Sequence, residues 1–128
     1  MILDSSAVVA VLFQEPGYEA LLEKMFAAAE VSIGAPTLAE TTIVVSARLG
    51  TDARPLLSRF LREGAIETLP FGEAQFGVAV GAWLRFGRGR HPASLNFGDC
   101  LAYATARLAG RQLLCVGDDF GRTDLSLA

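Results

Sequence analysis

The chain has 128 residues, 52% of them apolar, with 14 acidic against 11 basic side chains and a formal net charge of −3. That length and apolar share suit one globular domain and argue against disorder, while net acidity supplies no overall field for a polyanion, so nucleic-acid contact has to come from a local patch. Two cysteines without Cys-x-x-Cys spacing and a single histidine exclude a disulfide framework and a zinc cluster, and no uncharged run is long enough to cross a bilayer, so a cytoplasmic protein with no membrane contact is expected.

Met1 to Leu3 reads as a short buried strand ending on Asp4, and Ser5 or Ser6 is expected to cap the apolar helical run Ala7 to Phe13. Pro16-Gly17 breaks the chain before a second helical pattern through Met25-Phe26, and Val31 to Gly34 offers a second strand. Pro36 to Leu49 has helical spacing, with Glu40, Ile43, Val44 and Ala47 on one expected packing face and Gly50 as the stop. A helix from Asp52 or Ala53 to Arg62 follows, packing through Leu56, Leu57, Phe60 and Leu61 and stopped by Gly64, and Ala65 to Leu69 gives a third strand. Gly72 to Phe86 reads as a buried helix whose Gly77 and Gly81 permit close backbone approach, with Trp83 and Phe86 packed in the core rather than stacking on bases. Arg85 to Pro92 is the one dense basic segment, and its glycines make it a loop. A helix from about Gly98 to Ala109, the strand Gln112 to Val116 and a terminal loop complete a single domain spanning residues 1–128. Continuously apolar strands separated by helices predict a three-layer α/β/α fold around a mostly parallel sheet.

The acids are placed where folding alone gives little reason for charge. Asp4 and the Asp118-Asp119 pair follow apolar strands, and the carboxyl ends of parallel strands line the usual ligand crevice. Glu40 shares an expected apolar stripe, where a charge has to be paired, solvated in a cleft or bound to metal. Asp99 opens a helix behind the turn Asn96-Phe97-Gly98, so it either serves the helix dipole or faces the same crevice as Asp4. Two carboxylates within about 4 Å cost roughly 4 kcal/mol at an intermediate dielectric, and a hard divalent cation is the natural compensator for such an oxygen-only set. Ser6 and Asn96 are expected either to orient Asp4 and Asp99 or to serve as ordinary caps.

Met1-Ile2-Leu3-Asp4-Ser5-Ser6-Ala7, the helical Glu40, Gly87-Arg88-Gly89-Arg90-His91 leading to Leu95-Asn96-Phe97-Gly98-Asp99-Cys100, and Leu114 through Asp124 together carry a resemblance to PIN-domain ribonucleases, closely matching the VapC-type toxins of bacterial toxin-antitoxin systems. The resemblance implies a PIN-like fold in which Asp4, Glu40 and Asp99 are the first three catalytic acids, with Asp4 and Asp99 as direct metal ligands. Many PIN domains place the fourth acid three residues before the motif's phenylalanine, where this chain has Gly117. It supplies Asp118 and Asp119 instead, of which Asp119 is preferred because it immediately precedes Phe120. Asp124 is either a further carboxylate or a cap on a terminal strand. The resemblance also implies Mg²⁺ or Mn²⁺, an RNA substrate, a homodimer and a VapB-type antitoxin that occupies the groove. Arg88, Arg90 and His91 are the expected phosphate contacts, or alternatively a grip for antitoxin acids. Metal-dependent phosphatase or DNA nuclease activity, and a non-catalytic acidic groove that binds an Arg-rich peptide, are the competing functions.

Overall fold

The computed structural model describes residues 1–128 as a parallel sheet between two layers of helices. Its elements are β1 (Ile2–Leu3), α1 (Ser5–Leu12), α2 (Tyr18–Ala27), β2 (Ser32–Gly34), α3 (Ala35–Leu49), α4 (Arg54–Glu63), β3 (Glu67–Leu69), α5 (Glu73–Phe86), α6 (Phe97–Ala109), β4 (Leu113–Leu114) and a 3₁₀ turn at Phe120–Arg122. The strand order is β3-β2-β1-β4 and every pairing is parallel, with Ile2 opposite Ser32 and Leu113, and Leu3 opposite Leu114. Leu127 bridges in parallel to Leu113, so the terminal segment, expected to be a loop, extends the sheet edge. No helix is long and apolar enough to cross a membrane.

Successive residues of a strand point to opposite faces, and this alternation divides the core. Ile2 and Leu113 face one cluster with Ala82, Phe86, Leu95 and Tyr103 of the α5–α6 side. Leu3, Ile33 and Leu114 face the other, with Val8, Val45 and Leu57 from the opposite helices. Burying a leucine or isoleucine side chain contributes about 1.5–3 kcal/mol, so the central strands are held from both sides despite their shortness.

Several local expectations change. Asp4, not Ser5 or Ser6, caps α1, because its extended backbone lets the carboxylate accept from the Ser6 amide. The buried face of α3 is Thr37, Thr41 and Val45, while Ile43, Val44 and Ala47 are exposed. Threonines can line that face because a helical hydroxyl returns to the backbone, as Thr41 Oγ1 does to the Thr37 carbonyl at 2.7 Å. On α4, Leu57 is buried but Leu56 is exposed. Gly50 ends α3 in the left-handed conformation as expected, whereas the stop after α4 uses a right-handed Gly64 followed by Ala65 at φ 49°. The α5 helix packs on α6 through Ala79, Ala82 and Phe86, yet Gly77 and Gly81 face open space and Trp83 is half exposed, so this helix is not the fully buried one expected. Cys100 is buried and Cys115 only partly so, both as free thiols.

Candidate active site

β1 and β4 deliver two of the acidic segments side by side. The Asp4 amide donates to the Leu114 carbonyl at 2.9 Å, which joins the two strand ends, and Asp4 itself is 4% exposed. Its Oδ2 accepts from the Ser6 amide at 3.1 Å and from Ser6 Oγ at 2.5 Å, leaving Oδ1 outside both bonds. Ser6 Oγ in turn accepts from the Val116 amide at 2.9 Å, tying the carboxylate to the chain that leaves β4. Burial pushes the Asp4 carboxyl up; the Ser6 hydroxyl and nearby amides oppose that, and the charge of Asp119 adds to it.

Asp99 comes in on the first turn of α6. Asn96 Oδ1 accepts from the Asp99 amide at 2.9 Å and Asp99 Oδ2 accepts from the Asn96 amide at 3.0 Å, a reciprocal cap that fixes the carboxylate's direction. Asn96 therefore positions Asp99 and caps the helix at once. The Asp99 carboxyl is pushed up to about 6, first by burial, with the charges of Asp4, Asp119 and Glu40 adding and the Asn96 amide opposing. Glu40 reaches the group from α3, resting against the bare backbone of Gly98, where a Cβ would overlap its carboxylate. The glycine is what lets α3 bring this acid up to the start of α6.

Of the two adjacent terminal acids, Asp119 is the one whose charge helps raise both the Asp4 and the Asp99 carboxyl. Gly117, at φ +98°, reverses the chain after β4, a conformation that favours glycine, and Phe120 is buried in the α5–α6 core, so the segment carrying Asp119 is anchored at both ends. Asp124 stands apart. Its Oδ1 accepts from the Tyr103 hydroxyl at 2.6 Å, and Oδ2 lies 3.4 Å from Arg85 and 3.7 Å from Arg107, so it clamps the terminal segment onto α5 and α6. The Tyr103 hydrogen bond, followed by the two arginines, keeps the Asp124 carboxyl below the ordinary range. Sequence spacing did not expose this clamp, because Tyr103 and Arg85 lie 21 and 39 residues away.

The basic loop is closed by a bridge between Gly87 and Leu95. His91 Nδ1 accepts from the Ala93 amide at 3.0 Å and its ring meets Phe86 edge-on, so the imidazole is part of the loop's own packing. The Arg90 guanidinium lies 4.2 Å from the Trp83 ring centre, and Arg88 lines a groove beside Asn96.

The acidic donors are all carboxylate oxygens, which suits a hard divalent cation. The neighbouring Cys115 thiol is pushed up to about 11, first by burial and then by Asp4, Asp99 and Asp119, so it stays protonated and offers no thiolate. No three His, Cys, Asp or Glu side chains stand close enough together to hold an ion by themselves. Mg²⁺ is commonly held by one or two carboxylates with water completing its shell, so the donor set fits it in chemistry.

A protein-family model described as PIN domain matches residues 1–125. Ribonuclease VapC36 of Mycobacterium tuberculosis is 44% identical over 126 residues, covering 98% of this chain and 91% of that protein. Ribonuclease VapC of Mycolicibacterium smegmatis is 37% identical over 127 residues, covering 98% of each. Among solved structures, Mycobacterium tuberculosis VapC20, described as a sarcin-ricin loop cleaving toxin, superposes with a TM-score of 0.78 at 17% identity, over 99% of this chain and 97% of that one.

Proposed function

The chain belongs to the PIN-domain family and is closely related to the VapC ribonuclease toxins, and from that footing we propose that it is a Mg²⁺- or Mn²⁺-dependent endoribonuclease toxin restrained by a VapB-type antitoxin. One observation carries the reading. Asp4, Glu40 and Asp119, from three other segments, all bear on Asp99 at the carboxyl end of a parallel sheet, and its carboxyl is pushed up to about 6, first by burial and then by their charges. A cation would relieve that repulsion.

When bound, the metal would neutralise the attacked phosphate and lower the barrier to deprotonating water. Asp4 and Asp99 are the residues that would hold it, each fixed through one carboxylate oxygen by Ser6 or Asn96. Glu40 and Asp119 flank them as proton acceptors that orient the attacking water. Arg88 and Arg90 offer the local positive charge that the acidic chain lacks overall, and His91 holds their loop in shape. The apolar side chains left exposed on α3, Ile43 and Val44, are suited to cover by a second copy of the chain.

The test is cleavage of a mixed cellular RNA pool, with duplex DNA and a phosphomonoester in parallel, by wild type and by Asp99→Asn in Mg²⁺, Mn²⁺ or EDTA. RNA cleavage that requires metal and disappears in the variant is expected. Cleavage that survives both EDTA and the substitution would refute the assignment, and a preference for DNA or monoester would move the activity to the corresponding phosphoryl chemistry.

A further inference from the structure

The chain leaves β4 after Leu114 and comes back beside it, where Leu127 bridges in parallel to Leu113 and the Leu113 amide donates to the Ser126 carbonyl at 3.0 Å. Asp119 rides on the excursion between these points. The outgoing limb is fastened where the Val116 amide donates to Ser6 Oγ, the middle by the buried Phe120 in the α5–α6 core, and the returning limb by Asp124. Arg122 adds a bond at 3.3 Å to the Pro92 carbonyl of the basic loop.

Asp119 differs from the two acids that are aimed by bonds of their own. The Asp4 carboxylate accepts from Ser6 and the Asp99 carboxylate from Asn96. Asp119 opens the 3₁₀ turn at Phe120–Arg122 without capping it through its side chain; its carbonyl, not its carboxylate, accepts from the Arg122 amide at 3.3 Å. Such a carboxylate is placed by the backbone that carries it, and that backbone is placed by its anchors.

The returning anchor is held from both helices. Tyr103 is buried with its ring 5.9 Å from that of Phe86, so its hydroxyl comes from a packed side chain, and it donates to Asp124 Oδ1 at 2.6 Å, a length typical of a charge-assisted bond. Arg85 of α5 and Arg107 of α6 attract the other oxygen. The Thr123 hydroxyl donates to the Phe120 carbonyl at 2.7 Å and accepts from the Leu125 amide at 3.2 Å, so Asp124 is joined to Phe120 by a braced turn and not by slack chain.

We propose that Tyr103 and Asp124 are positioning residues for Asp119: they touch no reacting atom, and their clamp sets where the turn presents that acid beside Asp4 and Asp99. With the clamp released, the turn pivots on Phe120 and carries Asp119 out of place; a misplacement of about 1 Å can cost about 100-fold in rate. The proposal rests on the ribonuclease reading for the reaction it serves, so one of its two readouts is independent of cleavage.

Tyr103→Phe removes the hydroxyl and keeps the buried ring, and Asp124→Asn keeps an acceptor for Tyr103 where Asp124→Ala does not. Tyr103→Phe and Asp124→Ala are expected to lower kcat for metal-dependent RNA cleavage roughly 10-fold or more with KM retained, and Asp124→Asn to recover most of that loss. Placed in Asp119→Asn, Tyr103→Phe is expected to cost no further kcat, because a clamp that acts through Asp119 then has nothing to position. Hydrogen exchange of the backbone amides from 117 to 122 is expected to run roughly 10-fold or more faster in Tyr103→Phe, with β1, β4 and α6 unchanged. An equal fold loss in both backgrounds would make the clamp a general brace and overturn the proposal, as would wild-type kcat or unchanged exchange in Tyr103→Phe. A wild type that cleaves no RNA, with exchange at 117–122 still raised by Tyr103→Phe, would sink the ribonuclease reading while upholding the clamp's hold on Asp119.

Discussion

Replacing Asp99 by Asn is expected to make the metal-free protein more stable while removing its activity. The Asp99 carboxyl lies at about 6 against an ordinary 3.8, so its ionised form is the disfavoured one in the folded chain. That rise corresponds to at most ~3 kcal/mol, and at a half-buried carboxylate on a helix N-terminus solvent screening and the helix dipole leave about 1 kcal/mol. Asn keeps an acceptor for the Asn96 amide, so the cap survives the change. Because the folded value is raised, the stabilisation linked to the bound proton is fully present below about 4 and is lost as pH rises through about 6. Wild type and variant should therefore melt alike near pH 4, and the variant's advantage should open between pH 4 and 6 to about 4 °C at neutral pH. Thermal melts across that range in EDTA are the assay, and added Mg²⁺ should raise the wild-type melting temperature but not the variant's. A variant that melts no higher than wild type at neutral pH would refute the claim that burial and the neighbouring acids disfavour ionised Asp99 in the folded state.

The other expectations concern how the acids are held. Asp119→Asn should lower metal-dependent cleavage by roughly 100-fold or more while Asp118→Asn stays near wild type, and equal losses in a kcat comparison would undo the choice between them. Gly98→Ala should push the Glu40 carboxylate aside, costing about 1–3 kcal/mol of stability in denaturant melts and reducing kcat; a wild-type melt with wild-type kcat would mean Glu40 has another place to go. Ser6→Ala removes a hydrogen bond that holds the Asp4 carboxyl down, so the acidic limb of the pH–rate profile should move to higher pH and kcat should drop about 10–100-fold, with Ser6→Thr restoring both. An unmoved limb would show that Ser6 serves only the cap.

The order of strands and helices was legible because short apolar runs and glycine or proline breaks are local signals, and the carboxylates at strand ends followed from the same pattern. Helix faces were less legible. Apolar spacing pointed α3 inward through Ile43 and Val44, but two threonines lie on the buried side, one of them satisfying its hydroxyl within the helix, which hydropathy does not register. In α5 the glycines suggested close packing, yet the contact with α6 is made by alanines on another face. The place before Phe120 favoured Asp119 but left Asp118 open, since side-chain direction there depends on the backbone turn at Gly117. Asp124, open in the sequence between a further carboxylate and a cap on a terminal strand, is bound instead by Tyr103 and two arginines distant in sequence.

The bonds that fix the acids and the forces that strain them come from different levels of the structure. Asp4 is held by Ser6 and Asp99 by Asn96, partners two and three residues away, whereas the repulsion runs between segments far apart in sequence. Local bonds keep each carboxylate aimed whether or not a cation is present, and the two apolar cores on either face of the sheet hold the segments together against their charge. Ser6 is the one side chain that joins the levels, since the hydroxyl that steadies Asp4 also receives the Val116 amide from the strand leading to Asp119. Loss of the cation should therefore cost stability without dispersing the site. Preorganisation of this kind is what electrostatic catalysis requires, because groups that are already aimed need no reorganisation when the reaction's charge develops.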